Sequence, residues 1–184
     1  IDKDLVSDLK IKFSEHNFVR VINQNILDTD INQEYDLIIS NLPYNISSQI
    51  LVKLSLLENR PTKLILMFQK EFSSRLLDKK INSINSLVRC FYNIKFNFNV
   101  SRNCFRPIPK IESSVLTFEI IDNLIKKYEI NDFIAFKRKL FSHKRKTMQK
   151  VLKNYNLEGR FNLNLRVEDI NLAELIKIFR ATNS

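Results

Sequence analysis

The chain has 184 residues, 44% hydrophobic and 27% charged, with a formal charge of +10. That suits a soluble globular protein with room for one real core and a small appendage, and it excludes a disordered chain. No apolar run reaches the ~20 residues of a membrane span, and no signal-peptide pattern opens the chain. Cys90 and Cys104 sit apart without metal spacing. The expectation is therefore a cytoplasmic protein with reduced thiols, no metal and no membrane association. The basic excess calls for a polyanionic partner.

In chain order, Leu5, Leu9 and Phe13 fall at helical spacing. Residues 18–22 read as a strand and 37–40 as another, with a helix over 46–57 carrying Ile46, Ile50, Leu51, Leu54 and Leu57 on one face. A third strand is predicted over 63–68 and a helix over 73–77. Residues 91–100 alternate aromatic and polar side chains as a long strand, with Phe96 and Phe98 on one face, and 115–121 repeat the alternation. Pro107 and Pro109 mark the loop between these last two. Strands alternating with helices, then a hairpin, predict an α/β sheet with an antiparallel edge. From residue 122 onward the pattern is helical only: Phe133, Phe136, Leu140 and Phe141 make one apolar stripe, Met148, Val151 and Leu152 a second. Asn171 is placed to cap a last helix bearing Leu172, Leu175, Ile176 and Phe179. No internal repeat or low-complexity linker is present.

The most informative segment is the run of residues 40–50, from Ser40-Asn41-Leu42-Pro43-Tyr44-Asn45 into the second helix. Pro43 removes a backbone donor and biases Leu42 toward an extended conformation. One amide, Asn41, and one flat ring, Tyr44, are thereby presented together. Such a pair suits an unstacked nucleobase, the amide bonding its edge and the ring covering its face. The structural alternative is a capped helix start, with Asn41 or Asn45 as N-cap and Tyr44 in the core. A second feature is the interval 137–153, with Lys137, Arg138, Lys139, His143, Lys144, Arg145, Lys146, Lys150 and Lys153 and no acidic residue. A solvated helix face mixes signs, so this run reads as a phosphate-contacting surface.

Four ordered blocks carry a family resemblance: Asn41-Leu42-Pro43-Tyr44-Asn45-Ile46-Ser47; Met67-Phe68-Gln69-Lys70-Glu71 with Arg75; Phe105-Arg106-Pro107-Ile108-Pro109-Lys110-Ile111-Glu112-Ser113-Ser114-Val115; and Phe141 with Lys144-Arg145-Lys146-Thr147. They resemble the ribosomal RNA adenine N6-dimethyltransferases, which use S-adenosylmethionine. The resemblance implies a Rossmann-like class I methyltransferase sheet over residues 1–121, lacking its first strands, and a helical RNA-binding domain over 122–184. Asn41, Leu42, Pro43 and Tyr44 take the catalytic positions. Phe105 resembles the second aromatic wall, with a buried loop anchor as its alternative. Asn25 stands where the family usually has aspartate against the cofactor adenine, and Ile26 and Asn41 complete the cofactor-binding set. Lys137, Arg138, Lys144, Arg145 and Lys146 are the implied RNA contacts. Gln69, Lys70, Glu71 and Arg75 read as RNA contacts or, preferably, as a structural ion-pair network.

By the same register, residues 1–5 fall just after the family's acidic ribose ligand, the glycine-rich cofactor turn is missing, and the only glycine is Gly159. The sequence is therefore read as a fragment beginning inside the cofactor domain, with exposed strand edges and poor stability in isolation. The implied activity is N6,N6-dimethylation of two adjacent adenosines of small-subunit ribosomal RNA by a monomer acting on assembling ribosomes. Two alternatives stand beside it: the erythromycin-resistance type, which modifies the large subunit and typically has isoleucine at the place of Leu42, and a non-catalytic RNA-binding assembly factor.

Overall fold

In the computed structural model, residues 2–31, 35–157 and 159–183 are described. They fall into two units, Ile1–Gln33 and Glu34–Ser184. The first holds helix α1 (Lys3–Lys12), whose N-cap Asp2 accepts the N–H groups of Asp4 and Leu5 at 3.0 Å each. Asp4 in the first turn and Lys10 and Lys12 in the last suit the helix dipole. The strand expected over 18–22 does not form. Those residues pair with no strand, and the Phe18 side chain is 88% exposed. A short apolar run supplies a strand's pattern, but a strand exists only where a neighbour completes the hydrogen-bond ladder.

The second unit is built on four strands, β1 (Leu37–Asn41), β2 (Lys63–Gln69), β3 (Tyr92–Val100) and β4 (Ser113–Ile120), in the order β1-β2-β4-β3. Strands β1 and β2 are parallel and joined through α2 (Ser47–Ser55), while β4 runs antiparallel to both β2 and β3. Leu64, Leu66 and Phe68 alternate inward from β2 and meet Leu116 and Phe118 of β4, all fully buried. Helix α2 contributes Ile50, Leu51 and Leu54 to the core, as its spacing predicts. Helix α3 (Lys70–Leu77) starts directly from β2, and its C-terminal end is held by polar side chains from around the short helix α4 (Asn85–Val88). Asn85 Nδ2 donates to the carbonyls of Arg75 (3.2 Å) and Lys80 (3.0 Å), and Arg89 donates to those of Leu76 and Asp78 at 2.8 Å each. These side chains satisfy carbonyls of the last turn of α3, at Arg75 and Leu76, and of the residues just beyond it, Asp78 and Lys80.

Phe96 and Phe98 do not share a face. A β-bulge lies between them: Phe96 stands opposite Leu116, whereas Phe98 stands opposite Val115. The extra residue, Asn97, reaches Thr117 Oγ1 with its amide at 2.8 Å. One inserted residue reverses the alternation beyond it, so the pattern read from the sequence breaks at this point.

All described elements after β4 are helical. Helix α5 (Ile130–Ser142) buries Phe133, Phe136 and Leu140, with Phe141 half-buried. It packs on α7 (Leu172–Thr182), where the Phe179 ring lies 5.2 Å from Phe133 and 5.5 Å from Phe136. The short helix α6 (Met148–Val151) adds Met148. Asn171 caps α7 as expected, its side chain accepting the Glu174 N–H at 2.9 Å.

Candidate active site

Ligands of open α/β sheets bind beyond the carboxyl ends of the parallel strands. Asn41 is the last residue of β1 and pairs with Met67 near the end of β2. Because β4 runs the other way, its first residue, Ser113, lies at this same end, opposite Gln69 and Val100. The Asn41–Tyr44 loop and the β3–β4 loop therefore emerge together. The Tyr44 hydroxyl and Ser113 Oγ share a short hydrogen bond that ties the two loops. Ser113 is fully buried and Tyr44 half-buried.

Asn41 and Asn45 do not cap α2. The N-cap is Ile46, with no side-chain cap, and Ser47 Oγ donates back to the Tyr44 carbonyl at 3.1 Å. Asn41 is exposed, and its amide makes no hydrogen bond among the described residues. The buried Leu42 side chain, 4% exposed, anchors the loop, while Pro43 is exposed and its carbonyl accepts the Ile46 N–H at 3.2 Å. The result is an unspent amide on an anchored turn, with an aromatic ring fixed beside it by its hydroxyl.

Phe105 follows the 3-10 turn Arg102–Cys104 in the β3–β4 loop and is half-buried, between its two readings. Lys70 closes the base of that loop: its ammonium pairs with Glu112 at 2.7 Å and its N–H donates to the Glu112 carbonyl at 3.0 Å. The hydrogen bond and charge of Lys70 hold the Glu112 carboxyl below its ordinary range. Glu71 and Arg75 instead line a groove with Ser83, Phe141 and Lys144. Ser113 is the site residue that residue-by-residue reasoning did not assign. Its signal was a serine opening an alternating strand directly behind a two-proline loop.

In the first unit, Asn25 folds its amide into its own turn. Oδ1 accepts the Leu27 N–H at 3.1 Å and Nδ2 donates to Asp28 at 2.8 Å. Ile26 beside it is 36% exposed.

The basic run divides. Arg138, Lys139, Lys144, Arg145 and Lys146 are exposed, the last three on the turn that follows α5, and none of the five has an ion pair among the described residues. Lys139 lies over the Tyr155 ring at 5.0 Å. Lys137 is a correction: only 6% exposed, its ammonium donates to the Ser83 carbonyl at 2.5 Å, and burial pushes its pKa down to about 8. It is a buried anchor of α5, not part of the exposed basic surface. Among the described residues no His, Cys, Asp or Glu cluster could hold a metal, and no helix is long and apolar enough to cross a membrane.

The fold is shared with two solved structures. A dimethyladenosine transferase from Plasmodium falciparum superposes with a TM-score of 0.82 at 21% identity, covering 100% of this chain and 81% of that one. The 23S rRNA methyltransferase ErmE gives 0.75 at 18% identity, covering 100% and 80%. The class is thus an α/β methyltransferase fold. Residues 1–183 match the family model described as ribosomal RNA adenine dimethylase. The chain is 37% identical over 203 residues to the ribosomal RNA small subunit methyltransferase A of Mycoplasma capricolum, spanning 97% of this chain and 75% of the relative. It is 34% identical to a mitochondrial ribosomal RNA small subunit methyltransferase of Arabidopsis thaliana, spanning 91% and 47%. The chain belongs to the ribosomal RNA adenine dimethylase family.

Proposed function

We propose that this protein transfers methyl groups from S-adenosylmethionine to N6 of two adjacent adenosines in small-subunit ribosomal RNA, with Asn41 and Tyr44 receiving each adenine in turn. The observation that carries this is the Asn41 amide, exposed and unspent at the carboxyl end of β1, beside the Tyr44 ring pinned to Ser113. The cofactor, when bound, supplies an electrophilic methyl group on a sulfonium. The N6 amine is a weak nucleophile because its lone pair is delocalised into the ring. In the first transfer Asn41 Oδ1 accepts one N6–H and a backbone carbonyl accepts the other; the monomethylated amine then has one N6–H left to donate. The Pro43 carbonyl already takes the Ile46 N–H, which makes the Leu42 carbonyl the freer acceptor. Two acceptors pull density toward nitrogen and aim its lone pair, so positioning and local electrostatics supply the acceleration. Tyr44 stacks on the base, with Phe105 as the second wall.

Toward the cofactor, Asn25 keeps one lone pair on Oδ1 after the Leu27 bond, enough to accept an adenine amine, though without an aspartate's charge. Ile26 offers an exposed apolar side chain to the same ring. The helical segment 122–184 grips phosphate through Arg138 and the turn carrying Lys144, Arg145 and Lys146. Small-subunit RNA is favoured over the large subunit by Leu42 and by the named relatives. Primer extension across both ribosomal RNAs, with and without the gene, tests this: loss of dimethylation at paired small-subunit adenosines is expected. Unchanged small-subunit adenosines would refute it.

A further inference from the structure

The loop joining β3 to β4, residues 101–112, holds Arg102, Arg106 and Lys110, all exposed, against a single carboxylate, Glu112. That carboxylate is already held by Lys70 at 2.7 Å. The three loop cations have no ion pair among the described residues. Nor is this a loose tether. Ser101 accepts the Asn103 N–H on its hydroxyl at 3.3 Å and the Cys104 N–H on its carbonyl at 3.0 Å. Arg106 Nη1 donates to the Phe105 carbonyl at 3.0 Å, and two prolines follow. The loop then ends in Ser113, which holds Tyr44. Ordered cations that outnumber the one carboxylate of their loop, beside Asn41 and Tyr44, match the backbone of a strand that delivers a base.

We propose that Arg102, Arg106 and Lys110 form a second phosphate-gripping surface, which holds the RNA backbone flanking the adenosine at Asn41 and Tyr44 and is distinct from the basic turn after α5. This rests on the reading of the protein as an RNA-modifying enzyme. Phosphate contacts set register without reading sequence, so this surface fixes which nucleotide reaches Asn41, while the turn after α5 supplies general affinity.

The test uses the complete chain and a labelled RNA hairpin with two adjacent adenosines in its loop, titrated at several salt concentrations. The triple variant Arg102→Gln, Arg106→Gln, Lys110→Gln is expected to lower the log–log salt slope by about 2 to 3, since each phosphate contact carries about 0.7 to 0.9. A slope equal to the parent's overturns the proposal. The variant Lys144→Gln, Arg145→Gln, Lys146→Gln separates the two readings. If its slope falls while the loop variant's does not, only the loop proposal fails. If neither moves, RNA binding by this protein fails with it. Should the loop triple not fold, by circular dichroism, Arg106→Gln and Lys110→Gln alone are each expected to lower the slope by about 1, and no change in both overturns the proposal. Equal displacement of the hairpin by polyglutamate would assign the loop to an acidic protein partner and would also overturn it.

Discussion

Lys137→Met isolates the one lysine of the basic run that the fold has swallowed. Burial moves the Lys137 pKa from an ordinary 10.5 down to about 8, with Arg138 adding to the effect and Cys90 opposing it. Below pH 8 both folded and unfolded chains hold the proton, and the fold bears the full cost of the buried ammonium. Between about pH 8 and 10.5 the unfolded chain still holds the proton that the folded one has shed, so stability rises with pH across that window. At ~1.36 kcal/mol per pH unit, the rise attributable to this group is about 3 kcal/mol. The methionine variant lacks it. It also leaves the Ser83 carbonyl without its donor, a cost of about 1–3 kcal/mol that does not depend on pH. The parent-minus-variant unfolding free energy should therefore climb by about 3 kcal/mol from pH 7 to 10.5, whatever its starting offset. Urea unfolding followed by far-UV circular dichroism at half-unit pH intervals measures this. Parallel curves for the two proteins would refute the burial argument.

The two thiols should behave oppositely. Cys90 is buried, its thiol pushed up to about 12, whereas Cys104 is exposed, so a chromogenic disulfide reagent should titrate one thiol quickly and the second only after denaturation; simultaneous reaction of both counts against the core packing. Asn41→Ala should lower kcat by roughly a hundredfold or more, the scale for losing one transition-state contact, while RNA affinity stays within about twofold; a parallel loss of affinity would make Asn41 a structural residue. Tyr44→Phe removes only the hydroxyl bond to Ser113 and should cost about 1 kcal/mol of stability. Tyr44→Ala also removes the stacking face, worth about 1–3 kcal/mol per base, read as a raised KM; equal KM values for the two variants would exclude stacking. Asn171→Ala should cost about 1 kcal/mol through the lost cap on α7, with methyl transfer unchanged.

Where apolar spacing met a partner, sequence and structure agree. β2 alternates into the core along its whole length because β1 and β4 flank it, and α2 buries the face its spacing marks. The Asn41–Tyr44 turn was legible because a proline and a strand end constrain it locally. The features that stayed hidden depend on distant contacts. Residues 18–22 have a strand's composition and no ladder. The bulge at Asn97 cannot be read from alternation, because an inserted residue leaves the local pattern intact while turning every later side chain of the strand to the opposite face. Ser113 acquires its role only when an antiparallel strand brings it 69 residues along the chain to Tyr44.

The basic run shows how a linear count misleads on a helix. Each residue turns the side chain by about 100°, so adjacent cations face different ways. Lys137 stands four residues after Phe133 and three before Leu140, squarely on the apolar stripe of α5, and the structure buries it there. Arg138 and Lys139 rotate out to solvent. The exposed charge is therefore concentrated beyond the end of the helix, at Lys144, Arg145 and Lys146. That is also just past the C-terminal end of α5, where the helix dipole makes the local potential negative, which favours cations by about 0.3–1 kcal/mol. The helix terminus explains how a turn of like charges, with no carboxylate nearby in sequence, holds together. It also means that the fold, more than the net charge of +10, decides where positive charge is displayed.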